Sequence, residues 1–347
     1  MAFKLYATTS QRLAPAEIAA HAQRAEALGY DGLNIPEAVH DGFVGATLAL
    51  AATTRIRVAT SVALAFPRSP MVTAIAAWDL AALSGGRFEL GLGSQIKANI
   101  EGRYATAWAP PVARMREYVE ALRSIFRSFQ FGDPLAFSGE HYRFERLQPF
   151  FRPEPLEEFS LPIHLGGVAT RMTALAGEVA DGLVTHPTNT APRYLREVLQ
   201  PRLEKGAERR KSDLAPFRLL VGCRIATGRT DADVEREREN ARRSLAFLYS
   251  TPAYWPSLEI FGWADRGPEL RELTRKQQWD RMHELVDDEM LDAFVPSATY
   301  ENVGGLLEQW YGDLTDTITF PMPEDARNDE DFRQVVAALR GGSPHNA

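Results

Sequence analysis

The sequence contains very little cysteine, since Cys223 is the single one among 347 residues. One thiol cannot form an internal disulfide, and the apolar run LLVGCRIAT around it predicts a buried core side chain and not a reactive one. A disulfide-stabilised secreted domain is thereby excluded, and a reducing compartment fits. We therefore expect a cytoplasmic protein.

Long hydrophobic runs are also absent. The longest, from Met71 to Leu83, is interrupted by Asp79 and falls short of the roughly 18 apolar residues that suggest a membrane span. The amino terminus MAFKLYATTS lacks the apolar stretch and small-residue cleavage site of a secretory signal. The sequence therefore predicts a soluble protein without a membrane partner.

Basic residues are outnumbered, because 39 lysines and arginines stand against 46 aspartates and glutamates, for a formal charge of −7. An acidic protein is not drawn to nucleic acid or to anionic lipid, so we expect neither as a partner. Hydrophobic residues make up 45% and charged residues 24%, as in an ordinary globular protein. A small-molecule substrate is the partner that remains.

Short β-rich runs alternate with longer stretches of helical period along nearly the whole chain. Eight runs are each followed by a plausible helix, at residues 3–8, 31–36, 56–64, 87–93, 162–166, 181–186, 217–227 and 293–297. Eight βα units predict an α/β protein with one (β/α)8 TIM barrel over residues 1–347. Expanded segments predict insertions after strand 4 (about 94–111 and 131–161) and after strand 7 (about 245–292). The polar end from about Asp325 is predicted to be partly disordered.

In such a barrel the active site is built from the loops at the carboxyl ends of the strands. Glycines stand there on the fourth strand, as Gly91 and Gly93, and on the fifth, as Gly166 and Gly167. Without a Cβ the backbone can lie directly against a flat ring or a phosphate, and the helix that begins near Thr170 can offer free amides to an anion. A tight strand-to-helix turn without a ligand is the alternative interpretation.

His40 is the first candidate for general acid or base chemistry. It follows the second strand beside Glu37 and Asp41, and a neighbouring carboxylate can orient an imidazole and adjust its pKa. His186, at the end of the sixth strand, is a second candidate, and an ordinary loop histidine is the alternative for both. No histidine pairs with another ligand at zinc spacing on one helix, so no metal site is predicted.

Four segments together resemble the luciferase-like oxidoreductases. They are SGGRFELGLGS at 84–94, ALGYDGL at 27–33 leading to Glu37, ATSV at 59–62 and AGEVADG at 176–182. Within that family the continuation from Gln95 to Pro111 resembles members assigned to coenzyme F420, a deazaflavin that transfers a hydride. The resemblance implies a (β/α)8 barrel with the cofactor ring at its mouth, and family members are usually homodimers.

The resemblance also implies where the cofactor binds. A non-proline cis peptide, here between Ser61 and Val62, would lie against the ring, and the cofactor tail would cross the fifth-strand glycines. The cofactor contacts that we expect are Glu37, Ser61, Val62, Gly93, Ser94, Gly166, Gly167, Val168 and Thr185. Ala38 stands where related dehydrogenases and luciferases carry a catalytic histidine, so His40 is the expected proton donor, with Glu37 as the second catalytic residue.

Three functions stay open at this point. The leading hypothesis is hydride transfer between coenzyme F420 and a small organic substrate. The first alternative is an FMN-dependent monooxygenase that uses oxygen, because the same barrel serves both kinds of enzyme. The second is a flavin-binding protein without turnover, which the vacancy at Ala38 makes harder to dismiss.

Overall fold

Eight parallel strands form a closed barrel in the computed structural model, which describes residues 2–212 and 214–341. Each strand pairs with its two neighbours along the chain, and Lys4 pairs with Thr317 to join the first strand to the eighth. The predicted TIM barrel is confirmed. The strands are Lys4–Thr8, Gly32–Ile35, Arg57–Thr60, Phe88–Gly93, Ile163–Gly166, Gly182–Val184, Arg218–Val221 and Thr317–Thr319.

The eighth strand lies further along the chain than the sequence pattern predicts. The assignment of residues 293–297 to the barrel is wrong, because Phe294 and Val295 are buried at the end of the helix Asp288–Phe294. The next residues, Ser297–Thr299, pair with Ala226–Gly228 in a separate two-stranded parallel sheet. The apolar composition of residues 293–297 is typical of a strand, but Phe294 and Val295 are buried because they lie at the end of a helix.

Helices surround the barrel, and the local sequence explains where several of them begin and end. The hydroxyl of Ser69 accepts the N–H of Val72 and caps the helix Pro70–Ser84, which Gly85 ends in the left-handed conformation (φ 59°). The other helices are Pro15–Leu28, Gly42–Ala52, Lys97–Gly102, Pro111–Phe131, Thr170–Val179, Pro192–Tyr194, Gln200–Ala207, Asp231–Tyr249, Trp255–Glu259, Arg266–Arg275, Asp288–Phe294, Val303–Tyr311 and Asp329–Leu339. Within the described part of the chain, none is both long and apolar enough to span a membrane.

The predicted insertions differ in where they leave the barrel. Residues 94–111 follow the fourth strand directly, as expected. Residues 131–161 come instead after the helix Pro111–Phe131, and they include a short hairpin of Phe137–Ser138 with Arg143–Phe144. Residues 245–292 likewise begin at the end of a helix, Asp231–Tyr249, which stands between them and the seventh strand. Both longer insertions therefore lie between a helix and the next barrel strand.

The end of the chain is ordered over most of its length. Residues 329–339 form a helix whose Phe332, Val336 and Leu339 are buried at helical spacing, a pattern that the polar composition of the segment conceals. Arg24 binds the carboxylate of Asp329 at 2.7 Å and ties this helix to the first one. The predicted partial disorder does not apply to this helix, and residues 342–347 lie outside the described residues.

A charged cluster fills the barrel near the amino ends of its strands. The fully buried carboxylate of Glu89 lies 2.5 Å from Nε of Arg57 and 2.9 Å from Nη1 of Arg218, and Tyr6 Oη donates to it at 3.3 Å. Burial alone would raise the pKa of Glu89, but its contact with His164 and the charges of His164, Arg218 and Arg57 hold that pKa well below its usual range. This cluster lies at the end of the barrel opposite the mouth, so we assign it to stability.

Candidate active site

The floor of the mouth is built around Val62. The peptide bond between Ser61 and Val62 is cis, as the resemblance implied. A Cβ on Gly93 would lie 2.6 Å from one methyl carbon of Val62, and a Cβ on Gly166 would lie 3.1 Å from the other. The glycines of the fourth and fifth strands therefore make room for the valine side chain, and the structure brings these three predicted residues together.

Two serines at the rim have hydroxyls that are open to a ligand. Ser61 and Ser94 are half-buried, and neither side chain makes a hydrogen bond to the residues that the structure describes. Thr185 differs, because its buried Oγ1 accepts the N–H of Gly222 at 2.9 Å. This bond links the sixth and seventh strands, so the Thr185 hydroxyl already has a structural role.

The helix Thr170–Val179 begins directly after the fifth strand. Ala169 provides no side-chain cap, so the first-turn amides of this helix have no side-chain acceptor at the mouth. Gly167 is required by packing, because a Cβ there would lie 2.8 Å from Cγ of Met172. Val168 is half-buried between these two features. The segment can therefore hold an anionic group next to the glycine floor.

Glu37 is engaged in a buried ion pair that the sequence did not reveal. Its carboxylate accepts two bonds from Arg68, at 2.7 and 3.0 Å, and the N–H of Leu64 at 2.8 Å. Arg68 also binds Asp41 at 2.6 Å, and these carboxylates raise its pKa although burial opposes the rise. Glu37 therefore positions the segment that follows Val62, and its oxygens are not free for proton transfer.

His40 lies on the half-exposed bend after the second strand. Neither neighbouring carboxylate orients it, because Glu37 binds Arg68 and Asp41 caps the helix Gly42–Ala52 by accepting two backbone N–H groups. Among the described residues the imidazole has no hydrogen-bond partner. The insertion after the fourth strand contacts this bend, where Arg103 donates to the carbonyl of Ala38 at 2.6 Å.

The opposite wall of the mouth carries an aromatic stack. The ring of His186 lies parallel to that of Tyr254, with 4.3 Å between centroids and 9° between planes. Burial lowers the pKa of His186 to about 4, with a further contribution from the charge of Arg224. Tyr254 comes from the insertion after the seventh strand, so this insertion covers part of the mouth.

Glu117, Glu140 and His141 lie close enough to suggest a metal ion, with ligand atoms within 4.8 Å of one another. The Glu117 carboxylate, however, accepts the backbone N–H groups of Glu140, His141 and Tyr142 at 2.8 to 3.3 Å. Burial opposes these bonds, but together they lower the pKa of Glu117. The cluster is explained as the attachment of the hairpin to the helix Pro111–Phe131.

Comparisons with known proteins agree with this geometry. The family model described as luciferase-like monooxygenase matches residues 2–317. An uncharacterised protein of Mycobacterium tuberculosis is 41% identical over 297 residues, 84% of this chain and 87% of that protein. The 5,10-methylenetetrahydromethanopterin reductase of Archaeoglobus fulgidus is 28% identical over 299 residues, 83% of each chain. The solved structure of the coenzyme F420-dependent tetrahydromethanopterin reductase from Methanopyrus kandleri superimposes with a TM-score of 0.77 at 19% identity, covering 97% of both chains.

Proposed function

The chain belongs to the luciferase-like monooxygenase family, and we propose that it is a coenzyme F420-dependent oxidoreductase acting on a small organic substrate. The observation that carries this proposal is the glycine floor around Val62, with uncapped helix amides beside it. The similarity to the coenzyme F420-dependent reductase of M. kandleri supports the choice of cofactor. When bound, this cofactor supplies the hydride chemistry of its deazaflavin, and the protein provides binding and orientation.

The mouth fits a flat ring with an anionic tail. The ring would lie against Val62, with the free hydroxyls of Ser61 and Ser94 at its edge, and the tail would meet Gly166, Gly167, Val168 and the amides that follow. The hydroxyl of Thr185 accepts the N–H of Gly222, and its own O–H stays available to donate to the cofactor. Glu37 is a positioning residue here, since Arg68 and Leu64 occupy its carboxylate.

His40 is the proposed proton donor of the reaction. It is half-exposed at the rim on the bend after the second strand, and no bond holds it in another role within the described structure. Removing the imidazole by His40→Ala is expected to slow turnover by about 10²- to 10⁴-fold while leaving cofactor affinity unchanged. An unchanged rate with a known substrate would assign the proton to a different group.

Cofactor binding can be tested with the purified protein before any substrate is known. We expect saturable quenching of F420 fluorescence, and no comparable binding of FMN. Gly166→Val should abolish binding, because its Cβ would already approach Val62 and its methyl groups would occupy the floor. Gly305→Val is the matched control, since a Cβ at Gly305 meets nothing within 4 Å.

The nearest competing function is an FMN-dependent monooxygenase, which the description of the family favours. Oxygen consumption that depends on reduced FMN and a substrate would support it over the F420 proposal. Binding of F420 without hydride exchange over a panel of alcohols, imines and activated alkenes would instead support a non-catalytic flavin-binding protein.

We also propose a homodimer formed through two neighbouring helices, Gly42–Ala52 and Pro70–Ser84. Their outer faces expose four large apolar side chains by about half: Val44 53%, Val72 57%, Ile75 48% and Leu83 52%. An apolar surface of this kind on a soluble enzyme is typical of a protein–protein contact. The mass in solution tests this proposal directly.

A further inference from the structure

The wall formed by the sixth and seventh strands carries groups that the proposed cofactor site does not use. The two strands are joined at the mouth, where Thr185 donates its N–H to Leu220 at 3.0 Å and accepts the N–H of Gly222 at 2.9 Å. His186 follows Thr185 directly, and Arg224 lies two residues after Gly222. Their loops are therefore neighbours.

Arg224 has no hydrogen-bond acceptor in residues 2–212 and 214–341. Its chain neighbours Cys223 and Ile225 are buried, whereas its own side chain is exposed. No carboxylate or carbonyl of the described residues accepts a bond from its guanidinium. The charge of Arg224 contributes to the lowered pKa of His186, so the guanidinium lies on the same side of the mouth as that ring. An exposed guanidinium without an acceptor in this position is available to an anion.

Tyr254 provides a second free donor on the same wall. Its hydroxyl has no partner in the described structure, and it is not enclosed by protein. The ring is held firmly, because it stacks on His186 and the segment next to it is anchored at two points. Tyr249 Oη donates to the carbonyl of Thr188 at 3.1 Å, and Trp255 Nε1 donates to the carbonyl of Tyr249 at 2.8 Å.

We propose that Arg224 and the hydroxyl of Tyr254 form a subsite for an anionic group of the substrate, a carboxylate or a phosphate, with His186 as the residue that orients Tyr254. This proposal rests on the proposed function, because it takes the mouth of the barrel to be the active site. The guanidinium N–H groups of an arginine and the O–H of a tyrosine can both donate hydrogen bonds to the oxygens of a carboxylate or a phosphate. The stacking fixes the tyrosine before binding, which lowers the entropy cost of holding the anion.

The cofactor tail is the other possible source of an anion at the mouth. The uncapped amides at Thr170 lie after the fifth strand, beside Gly166 and Gly167, and they already offer the tail an anion site. Arg224 lies after the seventh strand, with the whole sixth strand between the two positions. The separation assigns the tail to the fifth strand and leaves Arg224 for the substrate.

The test is isothermal titration calorimetry of the full-length protein with two probes, inorganic phosphate and benzoate, with and without saturating F420. We expect saturable binding of at least one probe, unchanged by F420. Arg224→Gln should weaken that binding at least tenfold, and Tyr254→Phe, which keeps the stacked ring, should weaken it several-fold. Arg243→Gln is the matched control, because Arg243 is an exposed arginine without an acceptor among the described residues, on the helix Asp231–Tyr249.

Three results would overturn the proposal. One is the absence of probe binding to the wild-type protein, and another is equal affinity in wild type and Arg224→Gln. The third is displacement of the probe by F420 together with weaker F420 binding in Arg224→Gln, which would assign the arginine to the cofactor. A wrong functional proposal would give another result. F420 would then not bind at all, whereas the binding of phosphate or benzoate would still be weakened by Arg224→Gln.

Discussion

Replacing Glu89 by glutamine should destabilise the barrel more than any other single charge removal that we consider. The substitution leaves Arg57 and Arg218 without their shared carboxylate, and removal of one partner from a buried ion pair typically costs about 3–5 kcal/mol. The side chains of Arg57 and Arg218 are 37% and 26% exposed, so water can partly solvate the charges that lose their carboxylate, which reduces the loss of stability. We therefore expect a loss of about 2–4 kcal/mol in the free energy of unfolding at pH 7.

The pH dependence of this loss follows from the direction of the pKa shift. The pKa of Glu89 is lower in the folded protein than the ordinary value of 4.5, so the folded state favours the charged form. Its contribution is complete above the unfolded pKa and is lost as the pH falls toward the folded one. The difference between wild type and Glu89→Gln should therefore be largest at pH 6 to 8 and shrink below about pH 4.5.

Urea unfolding followed by tryptophan fluorescence and near-ultraviolet circular dichroism, at several pH values, measures both effects. Glu101→Gln serves as the control, because Glu101 and Lys97 form an exposed pair 3.9 Å apart, and its removal should change stability by less than about 0.5 kcal/mol. Two results would refute this account of the cluster. One is a loss of stability in Glu89→Gln at pH 7 that is no larger than that of Glu101→Gln, and the other is a loss that increases as the pH is lowered.

Three further substitutions test the rim of the barrel and its outer surface. Arg68→Met should weaken F420 binding at least several-fold, because Glu37 loses the partner that fixes the segment after Val62, and fluorescence titration measures this change. Ile75→Glu should convert the proposed dimer to a monomer, since it places a charge in the apolar face, and analytical ultracentrifugation would show the same mass as wild type if the face were free. Ser69→Ala should lower stability by about 1 kcal/mol through loss of a helix cap, and a urea midpoint within error of wild type would contradict it.

The sequence predicted those parts of the fold that depend on local chemistry. Ser69-Pro70 and Gly85 marked the two ends of one helix because capping and left-handed backbone require those residue types. Alternation of strand and helix predicted the barrel. The eighth strand was misplaced because Thr317–Thr319 has only one large apolar residue, and pairing to the first and seventh strands fixes its place.

The site could be predicted only in part, for a similar reason. Gly93 and Gly166 were identified because a glycine at the end of a strand usually indicates that another group approaches the backbone closely. The partner of Glu37 could not be identified, because Arg68 is 31 residues away and only the closed barrel brings the two together at 2.7 Å. Arg224 was missed because an arginine in a strand-like run looks like any surface charge.

His186 is suited to hold the ring of Tyr254 and not to accept a proton. The backbone N–H of Thr188 donates to its Nδ1 at 3.4 Å, so the hydrogen of the neutral ring lies on Nε2. Burial lowers the pKa of His186 to about 4, so the ring is neutral near pH 7. A neutral imidazole with its hydrogen on Nε2 offers the mouth a hydrogen-bond donor and no basic nitrogen. Proton transfer is therefore left to His40, and steady-state kinetics should show a larger loss of turnover for His40→Ala than for His186→Ala.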